Sequence, residues 1–283
     1  MRSSGVRCLG AQAFHRMHYY EWGDPANPRV LVCVHGLTRN GRDFDFLAAA
    51  LAADFRVICP DVVGRGQSDW LVAKQDYGFV QYLSDMAALI ARVTDATRQE
   101  IYWLGTSMGG LIGILLAALP GNPLRKLIVN DVGMLVPKAA LERLARYVGK
   151  DPRFATLEEL DAYTRQVSAP FGALSDAQWR HLTVHNARQF SNGQWGHCYD
   201  PVIGAALQGE LTDVDFTTHW DAIACPSLIL RGVQSDVLSH ATAQAMTQRG
   251  PRAKLVEINA VGHAPMLMCE EQVQIVREFL LAK

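Results

Sequence analysis

The stretch Gly105-Thr106-Ser107-Met108-Gly109-Gly110 follows the apolar run Ile101-Tyr102-Trp103-Leu104. It precedes a second apolar run, Leu111-Ile112-Gly113-Ile114-Leu115-Leu116. A strand that turns at once into a helix needs small residues where the two backbones crowd. A serine at that turn stands clear of both elements. The pattern G-x-S-x-G in a strand–turn–helix setting presents a nucleophile. A glycine-rich turn with a serine helix cap is the plainer reading, and the rest of the chain decides between the two.

Working outward, short apolar runs alternate with helical patterns. Strands are expected at Arg29–Val34, Phe55–Cys59, Ile101–Leu104, Lys126–Val129, Ser227–Leu230 and Ala253–Ile258. Strands apolar on both faces and alternating with helices predict a mostly parallel, doubly wound α/β sheet. Val6–Leu9 and Phe14–Trp22 read as a hairpin that starts the sheet antiparallel. The alternation breaks once, between Val129 and Ser227, where helical patterns at 138–148, 157–167 and 176–188 precede an aromatic, Gly-rich stretch, Phe190 to Tyr199. A structureless loop of that length is improbable. The spacing predicts a helical cap at 134–213 inserted between core segments 1–133 and 214–283.

The 283 residues, 49% hydrophobic and 19% charged, can bury a large core. A net charge of −1, with scattered basic residues, gives no electrostatic case for nucleic acid or an anionic membrane. The six cysteines form no C-x-x-C pair, which argues against structural zinc. Cys33 and Cys59 read as buried small hydrophobes. The first residues contain no continuous apolar stretch, so they do not read as a signal peptide. The chain reads as cytoplasmic. Its expected partners are a small-molecule ester and, at most, a second copy of itself.

A serine hydroxyl needs a histidine base, and the histidine needs a third group to hold its tautomer. Each should follow a strand on the serine's side of the sheet. Of nine histidines, only His263 lies just after the last strand, in Gly262-His263-Ala264-Pro265. His15, His18, His181, His185, His219 and His240 read as surface or packed residues. Two acids compete for the third place. Asp236 lies in the loop Val233-Gln234-Ser235-Asp236, and Asp131 in Asn130-Asp131-Val132-Gly133. Asp236 is favoured, because its loop can carry it across to the histidine and it completes the order Ser, Asp, His. Asp131 then serves its own loop or the substrate. The oxyanion donors are expected to be the N–H of Met108, at a helix N-terminus, and that of Leu37, in His35-Gly36-Leu37-Thr38. His35 reads as a loop-shaping hydrogen bonder.

These motifs resemble the α/β-hydrolase superfamily along nearly the full chain. His35 to Thr38 resembles its oxyanion loop. Asp61-Val62-Val63-Gly64-Arg65-Gly66-Gln67-Ser68 resembles its D-x-x-G-x-G-x-S loop, and Gly105 to Gly109 its nucleophile elbow. Asp236 resembles its acid loop, and Gly262-His263 its histidine loop. The resemblance implies an eight-stranded sheet with the second strand antiparallel and a cap after the sixth.

A serine nucleophile argues against the aspartate-dependent dehalogenases and epoxide hydrolases. The oxyanion loop lacks the proline of cofactor-free haloperoxidases. Ala264 stands where ring-cleavage C–C hydrolases carry tryptophan. The leading expectation is a carboxylesterase-like enzyme that needs no metal or cofactor. Lactonase, thioesterase and C–C hydrolase readings share its triad, and a ligand receptor of the same fold is the reading from another class. Candidate substrate-binding residues are His35, Gly36, Arg39, Asp131, Trp179 and Trp195, with Phe171, Phe190 and Tyr199 as further cap aromatics.

Overall fold

The computed structural model describes residues 1–94 and 99–282. Eight strands form one sheet in the order β1-β2-β4-β3-β5-β6-β7-β8. They are β1 (Arg2–Leu9), β2 (Phe14–Trp22), β3 (Arg29–Val34), β4 (Arg56–Pro60), β5 (Glu100–Thr106), β6 (Leu124–Asn130), β7 (Ser227–Gly232) and β8 (Lys254–Ile258). β2 runs antiparallel to both β1 and β4. From β4 to β8 every pairing is parallel. The expected α/β-hydrolase sheet, including its antiparallel second strand, is therefore present.

The central strands are buried on both faces because each face is covered by helices. Val30, Val32, Val34, Trp103, Leu127, Val129 and Ile229 point to one side. There they meet α2 (Phe79–Val93), α3 (Met108–Ala118), α7 (Thr217–Ala222) and α8 (His240–Gln248). Leu31, Cys33, Tyr102, Leu104, Ile128, Leu228 and Leu230 point to the other. They pack on α1 (Asp45–Leu51) and α9 (Glu270–Leu281). Alternate residues of one strand thus serve two cores, which is why these strands read as continuous apolar runs. Cys33 and Cys59 are fully buried among them, and all six cysteines are free.

Between β6 and β7 the chain leaves the sheet. It forms α4 (Lys138–Ala145), α5 (Leu157–Val167) and α6 (Asp176–Asn186), each within a range expected from the sequence. Thr156 caps α5 and Ser175 closes a capping box on α6, so both starts are written locally. The aromatic, Gly-rich stretch is a hairpin pairing Ala187–Gln189 with Trp195–His197. Leu135–Val136 pairs with Val214–Asp215, tying together the two ends of the excursion. Among the described residues no helix is long and apolar enough to cross a membrane.

Candidate active site

The site lies at the carboxyl ends of the parallel strands. Ser107 follows β5 and has φ +52° and ψ −116°, a left-handed conformation that costs energy for a residue with a side chain. Packing enforces it. A Cβ on Gly105 would lie 2.1 Å from the Gly109 carbonyl oxygen, and one on Gly109 would lie 2.0 Å from that of Val34. Only glycines allow β5, α3 and β3 to approach this closely. The Ser107 N–H donates to the Asn130 carbonyl at 2.9 Å. The Asn130 side chain donates to Thr106 Oγ1 at 3.0 Å and to the Pro265 carbonyl at 2.8 Å. Asn130 therefore ties the elbow to the histidine loop.

His263 Nε2 lies 2.9 Å from Ser107 Oγ. Its Nδ1 lies 2.8 Å from Oδ2 of Asp131, not of Asp236. Asp131 is fully buried, with φ +57°. Its Oδ1 accepts the Gly232 N–H at 2.8 Å and its Oδ2 the Ser235 hydroxyl at 2.6 Å. These donors satisfy the carboxylate and fix its direction, so a buried charge is tolerated. Asp236 faces outward instead and forms a two-point ion pair with Arg143 of α4. The expected acid is thus corrected. The loop after β7 does reach toward the histidine, but it contributes Ser235 and the Gly232 N–H to hold Asp131.

The Met108 N–H begins α3 and has no intrahelical acceptor. Leu37 lines the cleft together with Ser107. Arg65, wholly buried, reaches both: its Nε donates to the Leu37 carbonyl at 2.9 Å and its Nη2 lies 3.5 Å from Met108 Sδ. Val63, through its carbonyl, and the Tyr82 hydroxyl accept from Nη1. Sequence reading quoted Arg65 only as part of a loop. A single arginine between glycines carried no signal of this role. His35 shapes its loop but is wholly buried and does not line the cleft, so it is not placed to meet substrate as was also expected. Its Nε2 accepts the Val62 N–H at 2.9 Å, its Nδ1 donates to the Gly36 carbonyl at 2.7 Å, and burial pushes its pKa down to about 4.

A cleft of about 1020 Å³, counting its open mouth, lies between Ser107 and the excursion. Gly36 and Arg39 line it as expected. Arg39 is buried and held by Asp43 through Nε at 2.8 Å and Nη2 at 2.6 Å. Phe171, Tyr199, Tyr147, Tyr163 and His197 also line it, the last three unforeseen. Burial, then the charge of Arg39, pushes the His197 pKa down to about 4. Trp179 and Trp195 lie outside the cleft. Trp179 is core, buried with Leu182, Met266 and Met268, and Trp195 pairs with Gln189 in its hairpin and bridges to Phe154 outside it. Among the described residues two clusters bring three metal-ligating side chains together: Cys8, His15 and Asp85, and Asp45, His181 and His185. Both stand apart from the cleft.

Ser107, His263 and Asp131 thus form a hydrogen-bonded line at the carboxyl ends of the strands, with Asp131 in the place expected of Asp236. A model of the alpha/beta hydrolase family matches residues 31–276. The chain belongs to the alpha/beta hydrolase family. A 3-hydroxybutyrate-oligomer hydrolase of Cupriavidus necator is 45% identical to this hydrolase, covering 97% of this chain and 96% of that one. Two solved structures also superpose closely. A putative hydrolase from Rickettsia typhi has a TM-score of 0.92 at 30% identity, over all of both chains. An alpha/beta hydrolase from Novosphingobium aromaticivorans has a TM-score of 0.85 at 35% identity, over 98% of each. The expectation of a carboxylic-ester hydrolase stands.

Proposed function

We propose that this hydrolase cleaves short linear oligomers of a 3-hydroxyacid such as 3-hydroxybutyrate, through an acyl-enzyme on Ser107. The hydrogen-bonded line Ser107–His263–Asp131 carries the mechanism. Ser107 Oγ attacks the acyl carbon while His263 Nε2 takes its proton. Asp131 holds the Nδ1–H tautomer and stabilises the imidazolium. The N–H groups of Leu37 and Met108 receive the oxyanion. The tetrahedral intermediate collapses, the C–O bond to the alcohol breaks, and that oxygen takes the proton from His263. Water, deprotonated by His263, then releases the acid and restores Ser107.

The substrate class rests on the 45% identity over nearly the whole length of the C. necator enzyme. The cleft supports it, with aromatic walls and a buried Arg39–Asp43 pair suited to an ester chain carrying polar ends. Residues 134–213 act as the cap that sets chain-length preference. Six free cysteines fit a reducing cytoplasm.

Hydrolysis of the 3-hydroxybutyrate trimer, followed by chromatography of monomer and dimer, tests the reading. Wild type should release monomer and Ser107→Ala should not. A Ser107→Ala variant that keeps most activity overturns the mechanism. Wild type inert on the trimer yet active on p-nitrophenyl acetate overturns the substrate class alone.

A further inference from the structure

α6 of the cap carries His181 and His185 one turn apart, and residues four apart share a helix face. Their rings meet edge to face with centroids 4.4 Å apart. Asp45 opens α1 of the core directly opposite, and its Oδ2 lies 3.5 Å from His181 Nε2, an atom that in the metal-free fold hydrogen-bonds the Arg42 carbonyl at 3.0 Å and would exchange that bond for the ion. One ligand atom from each of the three lies within 4.8 Å of the others. Tetrahedral zinc with bonds of 2.0–2.2 Å holds its ligand atoms about 3.3 Å apart, so side-chain movements of up to about 1.5 Å close the set.

The carboxylate supplies an independent sign. Arg42 contacts only Oδ2 of Asp45, while Oδ1 is buried and has no partner. An unpaired buried carboxylate oxygen is costly, and a cation or a further donor would relieve it. Arg42 also stacks over Tyr20, with its guanidinium 5.1 Å from the ring centroid, and it occupies Oδ2 of Asp45 and neutralises one unit of charge there, so an ion would be received by Oδ1 or would displace Arg42. Two imidazoles and one carboxylate form a donor set for zinc or a similar borderline divalent ion, not for calcium or magnesium. The cluster of Cys8, His15 and Asp85 differs: all three are buried and both oxygens of its carboxylate already have partners, His15 at 3.0 Å and Gln81 at 2.7 Å.

We propose that Asp45, His181 and His185 bind a divalent transition-metal ion that clasps the cap to the core. The site is separate from the catalytic line and holds whatever the substrate is. Its place gives it a handle on the cleft. Asn186, the last residue of α6, lines the cleft, and Asn40 donates to the His185 carbonyl at 3.0 Å across the same interface.

Tag-free protein titrated with Zn2+ by calorimetry, and with Co2+ while d–d absorption is followed, tests the site. One ion per chain is expected, with the visible bands of a four-coordinate cobalt site and a rise in melting temperature. His181→Ala and His185→Ala should each weaken Zn2+ binding by at least about tenfold, the effect of losing even a supporting contact. Their metal-free hydrolysis of p-nitrophenyl acetate shows that they fold, and His181→Gln offers a gentler variant should His181→Ala fail to. Absence of saturable Zn2+ binding overturns the proposal. So does binding that survives both histidine variants, or that only His263→Ala abolishes.

Discussion

Oδ2 of Asp131 lies 2.8 Å from Nδ1 of His263, although these residues are separated by most of the carboxyl-terminal half of the chain. The strand order explains the meeting. β6 lies directly beside β5, so the residue after β6 emerges next to the serine, and the histidine loop after β8 folds back over both. Asp131→Asn should therefore lower kcat on p-nitrophenyl acetate by about 10²- to 10⁴-fold, through the wrong imidazole tautomer. Asp236→Asn removes an exposed ion pair and should change kcat less than about threefold. The reverse ranking in steady-state kinetics would return the acid to the loop after β7.

Arg65 contacts the Leu37 carbonyl and Met108 Sδ, in the two residues proposed to supply the oxyanion N–H groups, and does not line the cleft, so we propose that it is a positioning residue. Arg65→Lys keeps the charge but loses the fork that reaches the Leu37 carbonyl and Met108 together. Its kcat should fall by about tenfold or more with KM little changed. Equal losses in both, or none, would remove Arg65 from this role.

The Arg39–Asp43 pair is buried in the cleft wall. Removing one partner leaves an uncompensated charge, so Arg39→Ala should cost about 3–5 kcal/mol in urea denaturation. Replacing both, as Arg39→Met with Asp43→Leu, should recover most of that loss. If the double variant is as unstable as the single, the pair is not what holds this wall.

His35 and His197 are neutral in the fold because burial lowers their pKa values to about 4, well below the unfolded value of about 6.5. Between these values the unfolded chain binds protons that the folded chain does not. Stability is therefore full above about pH 6.5 and falls on acidification toward pH 4. Each histidine contributes up to about 1.4 kcal/mol per pH unit in that window. Urea midpoints at pH 7.5, 6.0 and 5.0 should fall in that order, and more shallowly in His197→Gln. A flat series would mean that these histidines accept protons in place.

Phe171 lines the cleft and stacks on Trp179, whereas Trp195 lies outside it. Phe171→Ala should move the optimum of a p-nitrophenyl ester series toward longer acyl chains. Trp195→Ala should leave the optimum in place. An unmoved optimum in Phe171→Ala would place the acyl chain elsewhere in the cleft.

Much of this was legible in one dimension. Apolar runs with helices between them dictate a parallel sheet, since both faces of such strands must be covered. Gly105, Ser107 and Gly109 announce a strained turn because only glycines tolerate that crowding. His263 was marked by standing after the last strand. The acid was not marked, because Asp131 and Asp236 both follow a strand and both satisfy the order Ser, Asp, His. Choosing between them depends on whether a loop brings a carboxylate or the donors that hold one, and Ser235 and Gly232 proved to be donors. The tryptophans of the excursion between β6 and β7 misled for a related reason. A large aromatic signals burial, not whether it is buried in a wall or behind one. The histidine pair on α6 was passed over because its third ligand, Asp45, lies in another segment. Local chemistry and periodicity thus determined the fold and the proposed nucleophile and base, because those depend on neighbours in sequence. Tertiary structure alone decided the acid, the cleft wall and the Arg65 brace, because each depends on which loops meet above the sheet.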